Sequence, residues 1–121
     1  MIRTFLKSKI HRATVTDTSL NYEGSLGIDA ELMKAADIMP YEMVQVYNIS
    51  NGERFETYAI EEPAGTGTVS LKGAAARKGS PGDLIIITSY TTVDDQNLSD
   101  FKPAIVFVDE NNRIKNTTLA I

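Results

Sequence analysis

The sequence predicts a mainly β fold, a small closed barrel with one or two short helices. Three observations lead to it. Six runs of β-branched and aromatic residues are separated by strong turn signals, while only one stretch carries a clear helical periodicity. The chain has 121 residues, enough to bury one core and too few to divide comfortably into two domains. Several short strands in so small a domain leave unpaired edges unless the sheet closes on itself, which favours a barrel over an open sheet.

The first strand run is "RATVT" at residues 12–16. Ahead of it, Arg3, Lys7, Lys9 and Arg12 occur with no acid until Asp17. That cluster reads either as a site for a small anion or as a strand edge protected by solvated charges. The helix follows: Asp29 is a good N-cap, Glu31 sits in the first turn, and Leu32, Ala35, Ala36 and Met39 recur at helical spacing until Pro40 stops the run. The strands "EMVQVYNI" (42–49) and "RFETYAI" (54–60) flank "SNGE", whose Asn51-Gly52 pair tolerates the positive φ angles of a type I′ turn and predicts a hairpin. In an extended strand Arg54, Glu56 and Tyr58 share one face, and Phe55, Thr57 and Ala59 the other. The remaining runs are "TVSL" (68–71), "DLIIITSY" (83–90) and "AIVFVD" (104–109), with a second short helical turn expected in "GAAAR" (73–77). "PYEMVQV" (40–46) and "PGDLIII" (81–87) both place an acid two residues after proline, an echo that fits two half-barrel units and also arises by chance.

Composition removes several kinds of chemistry. With no cysteine and one histidine, the chain has no disulfide, no thiolate nucleophile and no His-rich zinc site, so no metal is expected. A net charge of -4 argues against non-specific nucleic-acid binding. The start, "MIRTFLKSKIHR", has no apolar run long enough for a signal peptide or a membrane span, and a cytoplasmic protein without a membrane partner is expected.

A reactive group can still be made from the chain itself. In "LNYEGSLGID" (20–29), Gly24 precedes Ser25. A Gly-Ser pair is most often only a turn. Held in a strained turn, however, a serine hydroxyl can attack the preceding carbonyl, and glycine there gives least hindrance and permits unusual backbone angles. The amide becomes an ester, β-elimination breaks it, and hydrolysis of the resulting dehydroalanine leaves a pyruvoyl ketone at a new chain start. Such a ketone condenses with a substrate amine to a Schiff base and accepts electrons released by decarboxylation, the work that pyridoxal phosphate does elsewhere.

Five blocks, "KIHRATVT" (9–16), "LNYEGSLGID" (20–29), "NGERFETYAI" (51–60), "KGAAAR" (72–77) and "GDLIIITSY" (82–90), occur in an order that resembles the pyruvoyl-dependent aspartate 1-decarboxylase family along nearly the whole chain. The resemblance implies a double-psi β-barrel, a homotetramer, and a zymogen that cleaves itself into 1–24 and 25–121. It implies decarboxylation of L-aspartate to β-alanine for pantothenate and coenzyme A synthesis, with no dissociable cofactor; an accessory maturation protein is a further partner that the sequence leaves open. By the same resemblance Ser25 becomes the pyruvoyl group and Tyr58 protonates the substrate carbon after carbon dioxide leaves. Arg54 and Lys9 hold carboxylates, and Thr57 supports the backbone carbonyl during cleavage and borders the substrate. Gly73, Ala74 and Ala75 line the pocket, with His11 and Tyr22 around it. Where the family pattern has asparagine before "GAAA", this chain has Lys72. Its ammonium would either enter the pocket or snorkel to solvent.

Taken singly, these residues have plainer roles. Tyr58 on a strand is usually a packing residue, and Lys9, His11 and Arg54 are ordinary strand or surface residues. The pairing of Arg54 with Tyr58 on one face, and the aptitude of a fixed arginine for carboxylates, favour the catalytic reading. Two other functions fit the residues: a non-catalytic β-barrel binding module, which would never cleave itself, and a pyruvoyl decarboxylase for another amino acid. Intact mass separates the first, substrate profiling the second.

Overall fold

A computed structural model describes residues 1–118. Its elements in chain order are β1 (Ile2–Thr14), β2 (Asp17–Ser19), β3 (Ser25–Asp29), α1 (Ala30–Ala35), β4 (Met43–Asn48), β5 (Arg54–Glu62), β6 (Val69–Lys72), a 3₁₀ turn (Gly73–Lys78), β7 (Leu84–Asp94), a second 3₁₀ turn (Asp95–Asn97), β8 (Ala104–Val108) and β9 (Ile114–Thr118). The strands form one mixed sheet in the order β2-β6-β3-β5-β4-β7-β1-β8-β9. It curls around a core that includes Ile10, Leu26, Ile28, Val46, Leu71 and Ile87. This is the mainly β, barrel-like fold with short helices that the sequence predicts. The hydrogen-bonded order begins at β2 and ends at β9, so the ladder does not close on itself. Among the described residues no helix is long and apolar enough to cross a membrane.

The hairpin forms, with β4 and β5 antiparallel in a register that sets Tyr47 opposite Arg54 and Met43 opposite Tyr58. Its turn is not type I′. The Asn48 N–H donates to the Glu53 carbonyl at 2.8 Å, and Gly52 donates back to the Asn48 carbonyl at 2.9 Å. Only Gly52 of the pair has positive φ, at 81°. The Asn48 carboxamide accepts from the Ser50 and Asn51 N–H groups, and this local capping stabilises a wider loop than a two-residue turn.

Two expectations change, one holds in part, and one strand is new. The first strand begins at Ile2, and only Ser8–His11 of it lie between β7 and β8; Arg3 and Lys7 sit on the half that pairs with β7 alone, as a strand edge would, while Lys9 lies inside the sheet. The cluster is not a single anion site: Arg3 pairs with Asp95 at 3.4 Å and Lys7 with Glu42 at 2.8 Å. The helix ends at Ala35 instead of reaching Pro40, because Asp37 turns left-handed at φ 54° and Ile38 doubles back to bond the Met33 carbonyl and bury its side chain. "SLGID", which is not among the six strand runs, is the strand β3, buried at every position. Asp29 nevertheless caps as expected, accepting from Glu31 N–H at 2.8 Å. The same carboxylate takes the N–H groups of Gly65 and Gly67, tying the helix start to the loop before β6.

Candidate active site

Everything distinctive about the Gly24-Ser25 bond follows from where β3 starts. Ser25 is the first residue of β3, flanked by β5 on one side and β6 on the other. The parallel β3–β5 register pairs Leu26 with Ala59, which brings Tyr58 alongside Ser25. The antiparallel β3–β6 register sets Ser25 opposite Lys72. Both residues of the bond are left-handed, Gly24 at φ 114° and Ser25 at φ 107°. That region is disfavoured for any residue with a Cβ, so the serine is held there by its surroundings. Its side chain is buried, and Oγ has no hydrogen-bond partner among the described residues. Since an unpaired buried hydroxyl costs about 1–3 kcal/mol, the fold maintains this hydroxyl at a loss.

Gly73 completes the turn from the other side. Its φ is +64°, and a Cβ there would lie 2.6 Å from Gly24 Cα, 2.7 Å from Gly24 N and 2.8 Å from the Tyr22 carbonyl oxygen. The 3₁₀ turn therefore packs backbone to backbone against the bond, which only glycine allows.

Two clefts meet at Gly24, Ser25 and Tyr58. The larger, about 520 Å³, is walled by Tyr22, Tyr41 and Glu61 in addition to these three. The smaller, about 300 Å³, adds Thr57, Ala74, Ala75 and Lys78. Strand alternation puts Tyr58 outward, 38% exposed, while Ala59 is buried in the core. Tyr41 stands beside it, ring centroids 6.5 Å apart. This neighbour is set by two backbone bonds, Tyr41 N–H to the Ala59 carbonyl at 2.7 Å and Ala59 N–H to the Glu42 carbonyl at 3.0 Å. The sequence reading missed Tyr41, because "MPYE" signals only the end of a helix. It also missed Glu61 and Lys78, whose types are ordinary for a strand end and a turn.

Glu42, next in the chain, anchors this corner. Its carboxylate takes Lys7 Nζ at 2.8 Å, the Met39 N–H at 3.0 Å and the Ser89 hydroxyl. Burial alone raises its pKa, but the hydrogen bonds from Lys7, Met39 and Ser89, with the Lys7 charge, outweigh burial and hold the carboxyl below its ordinary value.

Of the expected site residues, the fold gathers Tyr22, Gly24, Ser25, Thr57, Tyr58, Gly73, Ala74 and Ala75. Lys9, His11 and Arg54 line neither cleft within one chain. Arg54 lies about 13 Å along β5 from Tyr58 at strand rise. Its guanidinium stacks 3.8 Å above the Tyr47 ring, and the Tyr47 and Tyr90 hydroxyls are 2.7 Å apart. Lys9 pairs with Thr88 and Ile105 in mid-sheet. His11 packs edge-on against Phe107 and borders a separate cleft with Arg12, Asp109 and Lys115. Burial, then the charges of Lys9, Arg12 and Lys115, lower its pKa.

Lys72 takes neither of its expected positions. Its side chain is 13% exposed, with Nζ 3.9 Å from Glu62 Oε1 and 4.5 Å from the centre of the Tyr22 ring. Among the described residues no three His, Cys, Asp or Glu side chains gather as a metal-binding group.

The family profile described as Aspartate decarboxylase matches residues 1–115. The chain belongs to the aspartate decarboxylase family. It is 57% identical over 116 residues to an aspartate 1-decarboxylase of Syntrophus aciditrophicus, covering 96% of this chain and all of that protein. Against the aspartate 1-decarboxylase of Thermoanaerobacter pseudethanolicus the identity is 57%, over 96% of this chain and 99% of the relative. For that of Syntrophobacter fumaroxidans it is 58%, over 93% and 91%. The clefts around Gly24-Ser25 fall inside the matched span.

Proposed function

We propose that this chain decarboxylates L-aspartate to β-alanine and carbon dioxide with a pyruvoyl group made from its own Ser25. The observation that carries the proposal is the state of that residue: left-handed backbone, a glycine before it, and a buried Oγ with no partner where two clefts meet. Similarity to relatives named aspartate 1-decarboxylase supports the substrate. In the processing step Ser25 Oγ bonds to the Gly24 carbonyl carbon as the carbon–nitrogen bond breaks, and the hydroxyl proton passes to the nitrogen. Loss of the Ser25 α-proton then expels the Gly24 carboxylate, and water converts the remaining enamine to a ketone with release of ammonia. The ketone supplies an electrophile for the substrate amine and a sink for the electrons of the breaking carboxylate bond.

The chain's other residues act around that centre. Tyr58 borders both clefts and is the proposed proton donor to the substrate carbon, while Thr57, Ala74 and Ala75 shape the smaller cleft. Thr57 also supports the Gly24 carbonyl during cleavage in this reading. Lys9 and Arg54 are the proposed carboxylate-binding cations and His11 a peripheral group. Since none of the three lines a cleft at Ser25 in its own chain, we propose a homotetramer in which a neighbouring copy supplies them. Exposed Met39, Tyr41 and Met43 beside the larger cleft suit such a contact. The product would feed pantothenate and coenzyme A synthesis in the cytoplasm, and a maturation protein would at most accelerate cleavage.

Intact mass after prolonged incubation, with and without host extract, tests the reading. Two fragments are expected, residues 1–24 and a second starting at position 25 with a ketone end, together with β-alanine formation from aspartate. Ser25→Ala should abolish both. A wild-type chain that stays intact in both incubations overturns the proposal, and cleavage persisting in Ser25→Ala assigns it to an outside protease.

A further inference from the structure

We propose that Lys72 is a positioning residue for self-cleavage, its ammonium clamping the Tyr22 side of the Gly24-Ser25 turn against Glu62. The inference rests on the proposed self-cleavage and adds a specific role for the residue opposite Ser25 in the β3–β6 ladder.

Four observations converge on it. Lys72 faces Ser25 across the β3–β6 ladder, so its backbone is fixed beside the bond. Its neighbour Gly73 touches Gly24 and the Tyr22 carbonyl, so any shift of this strand end reaches the turn directly. The ammonium lies 4.5 Å from the Tyr22 ring centre and 3.9 Å from Glu62, on a side chain only 13% exposed. Glu62 can approach because β3 has glycine at position 27: a Cβ there would stand 2.9 Å from Glu62 Cγ and 3.0 Å from Cδ. Glu62 thus folds over β3 from the end of β5, and the lysine carries its charge across to the segment that precedes the bond.

A lysine head normally leaves an apolar surface for water. Here it stays between a carboxylate and an aromatic face, the arrangement that restrains both partners. Tyr22 itself is half exposed, at 51%, and lies outside the strands, with the Lys72 cation over its ring. Attack by Ser25 Oγ needs the Gly24 carbonyl carbon held about 3–3.5 Å away and aligned. Holding Tyr22 narrows the conformations of the two residues leading to that carbonyl and raises the fraction of time the turn is competent.

The test follows the cleavage of freshly purified zymogen by intact mass in the wild type, Lys72→Met, Lys72→Arg, Tyr22→Leu and the Lys72→Met/Tyr22→Leu pair. Melting temperatures are measured in a Ser25→Ala background, where every sample stays uncut. Lys72→Met and Tyr22→Leu are each expected to slow cleavage about 5- to 30-fold, the rate equivalent of a partly desolvated cation–aromatic contact. The pair should be no slower than the slower single variant, because both break one contact. Lys72→Arg should restore the rate to near that of the wild type. Wild-type cleavage rates in Lys72→Met, multiplying effects in the pair, or failure of Lys72→Arg to rescue would each overturn the clamp. Should Lys72→Met fail to fold, Tyr22→Leu at its exposed position decides alone, and a wild-type rate there overturns it. A wild type that never cleaves removes the proposed function and the clamp with it, whereas a cleaving wild type with an equally fast Lys72→Met removes only the clamp.

Discussion

Replacing Gly73 by alanine should nearly stop the proposed self-cleavage while leaving a folded barrel. Carbon atoms rest about 3.5–4.0 Å apart, and the new Cβ would begin 2.6 Å from Gly24 Cα, so one backbone must retreat by about 1 Å. No flexible side chain can yield instead, because the three nearest atoms belong to the backbones of Gly24 and Tyr22. A left-handed alanine at φ +64° adds about 1–2 kcal/mol of its own. A displacement of 1 Å at a reacting centre typically costs about 10²-fold in rate, which is the expected loss in cleavage. Gly52→Ala is the control: it has φ +81° with nothing within 4 Å of the new Cβ, so it carries the backbone strain without the collision. Intact-mass time courses and thermal melts of both variants make the assay. Gly52→Ala should melt lower and cleave normally, whereas Gly73→Ala should both melt lower and cleave about 10²-fold more slowly. Wild-type cleavage in Gly73→Ala would refute the argument that this contact sets the geometry of the bond, and equal slowing in both variants would assign the effect to general destabilisation.

Tyr58→Phe keeps the ring against Tyr41 and removes the hydroxyl, so cleavage should survive while aspartate turnover falls by about 10²–10⁴-fold; full turnover by the processed variant removes Tyr58 from the chemistry. Asn112 is buried and bonds the Thr14 N–H, the Thr14 carbonyl and the Gly67 carbonyl, each at 2.8 Å. Asn112→Ala should therefore lower stability in urea titrations by about 2–4 kcal/mol, and a change under about 0.5 kcal/mol would show that water replaces the side chain. For Glu42 the folded pKa is depressed, so its contribution to stability is present above the ordinary value of 4.5 and is lost as pH falls through the folded value. Melts of wild type and Glu42→Gln across acidic pH should converge as pH drops, and parallel curves would mean that the Lys7–Glu42–Ser89 corner does not couple to stability.

The parts of the site that were legible in the sequence are those governed by strand alternation. Arg54, Glu56 and Tyr58 do share the exposed face of β5, and Ala59 is buried on the other, because a strand with one wet face repeats every two residues. The "GAAAR" turn was legible for the same local reason, small residues where another backbone must approach. The full length of β1 was not. Its charges at Arg3 and Lys7 do mark a half paired with β7 alone, but Lys9 lies where β8 adds a second partner, and the ion pairs come from distant positions such as Asp95 and Glu42. The strand "SLGID" was hidden because its burial comes from β5 and β6 on either side. Lys9, His11 and Arg54 were marked by resemblance alone, and no sequence pattern places them at the clefts around Ser25.

The strain at Gly24-Ser25 and the placement of β3 explain each other. A serine at φ 107° is unstable in isolation, so something must prevent the chain from relaxing. Relaxation would have to rotate Ser25 out of the ladder, but β3 is buried at every position, and Leu26 and Ile28 are fully buried in the core immediately after it. On the other side Gly24 has no Cβ to resist its own unusual angle and abuts Gly73, so the turn cannot swing in that direction without colliding with backbone. The chain is thus clamped at both ends of one peptide bond, and the hydroxyl within reach is denied a hydrogen-bond partner among the described residues that would stabilise its resting state. The proposed cleavage at that bond would release the backbone while leaving the β3 ladder and the core intact, so the residues that hold β3 rigid are also those that hold the strained bond in place.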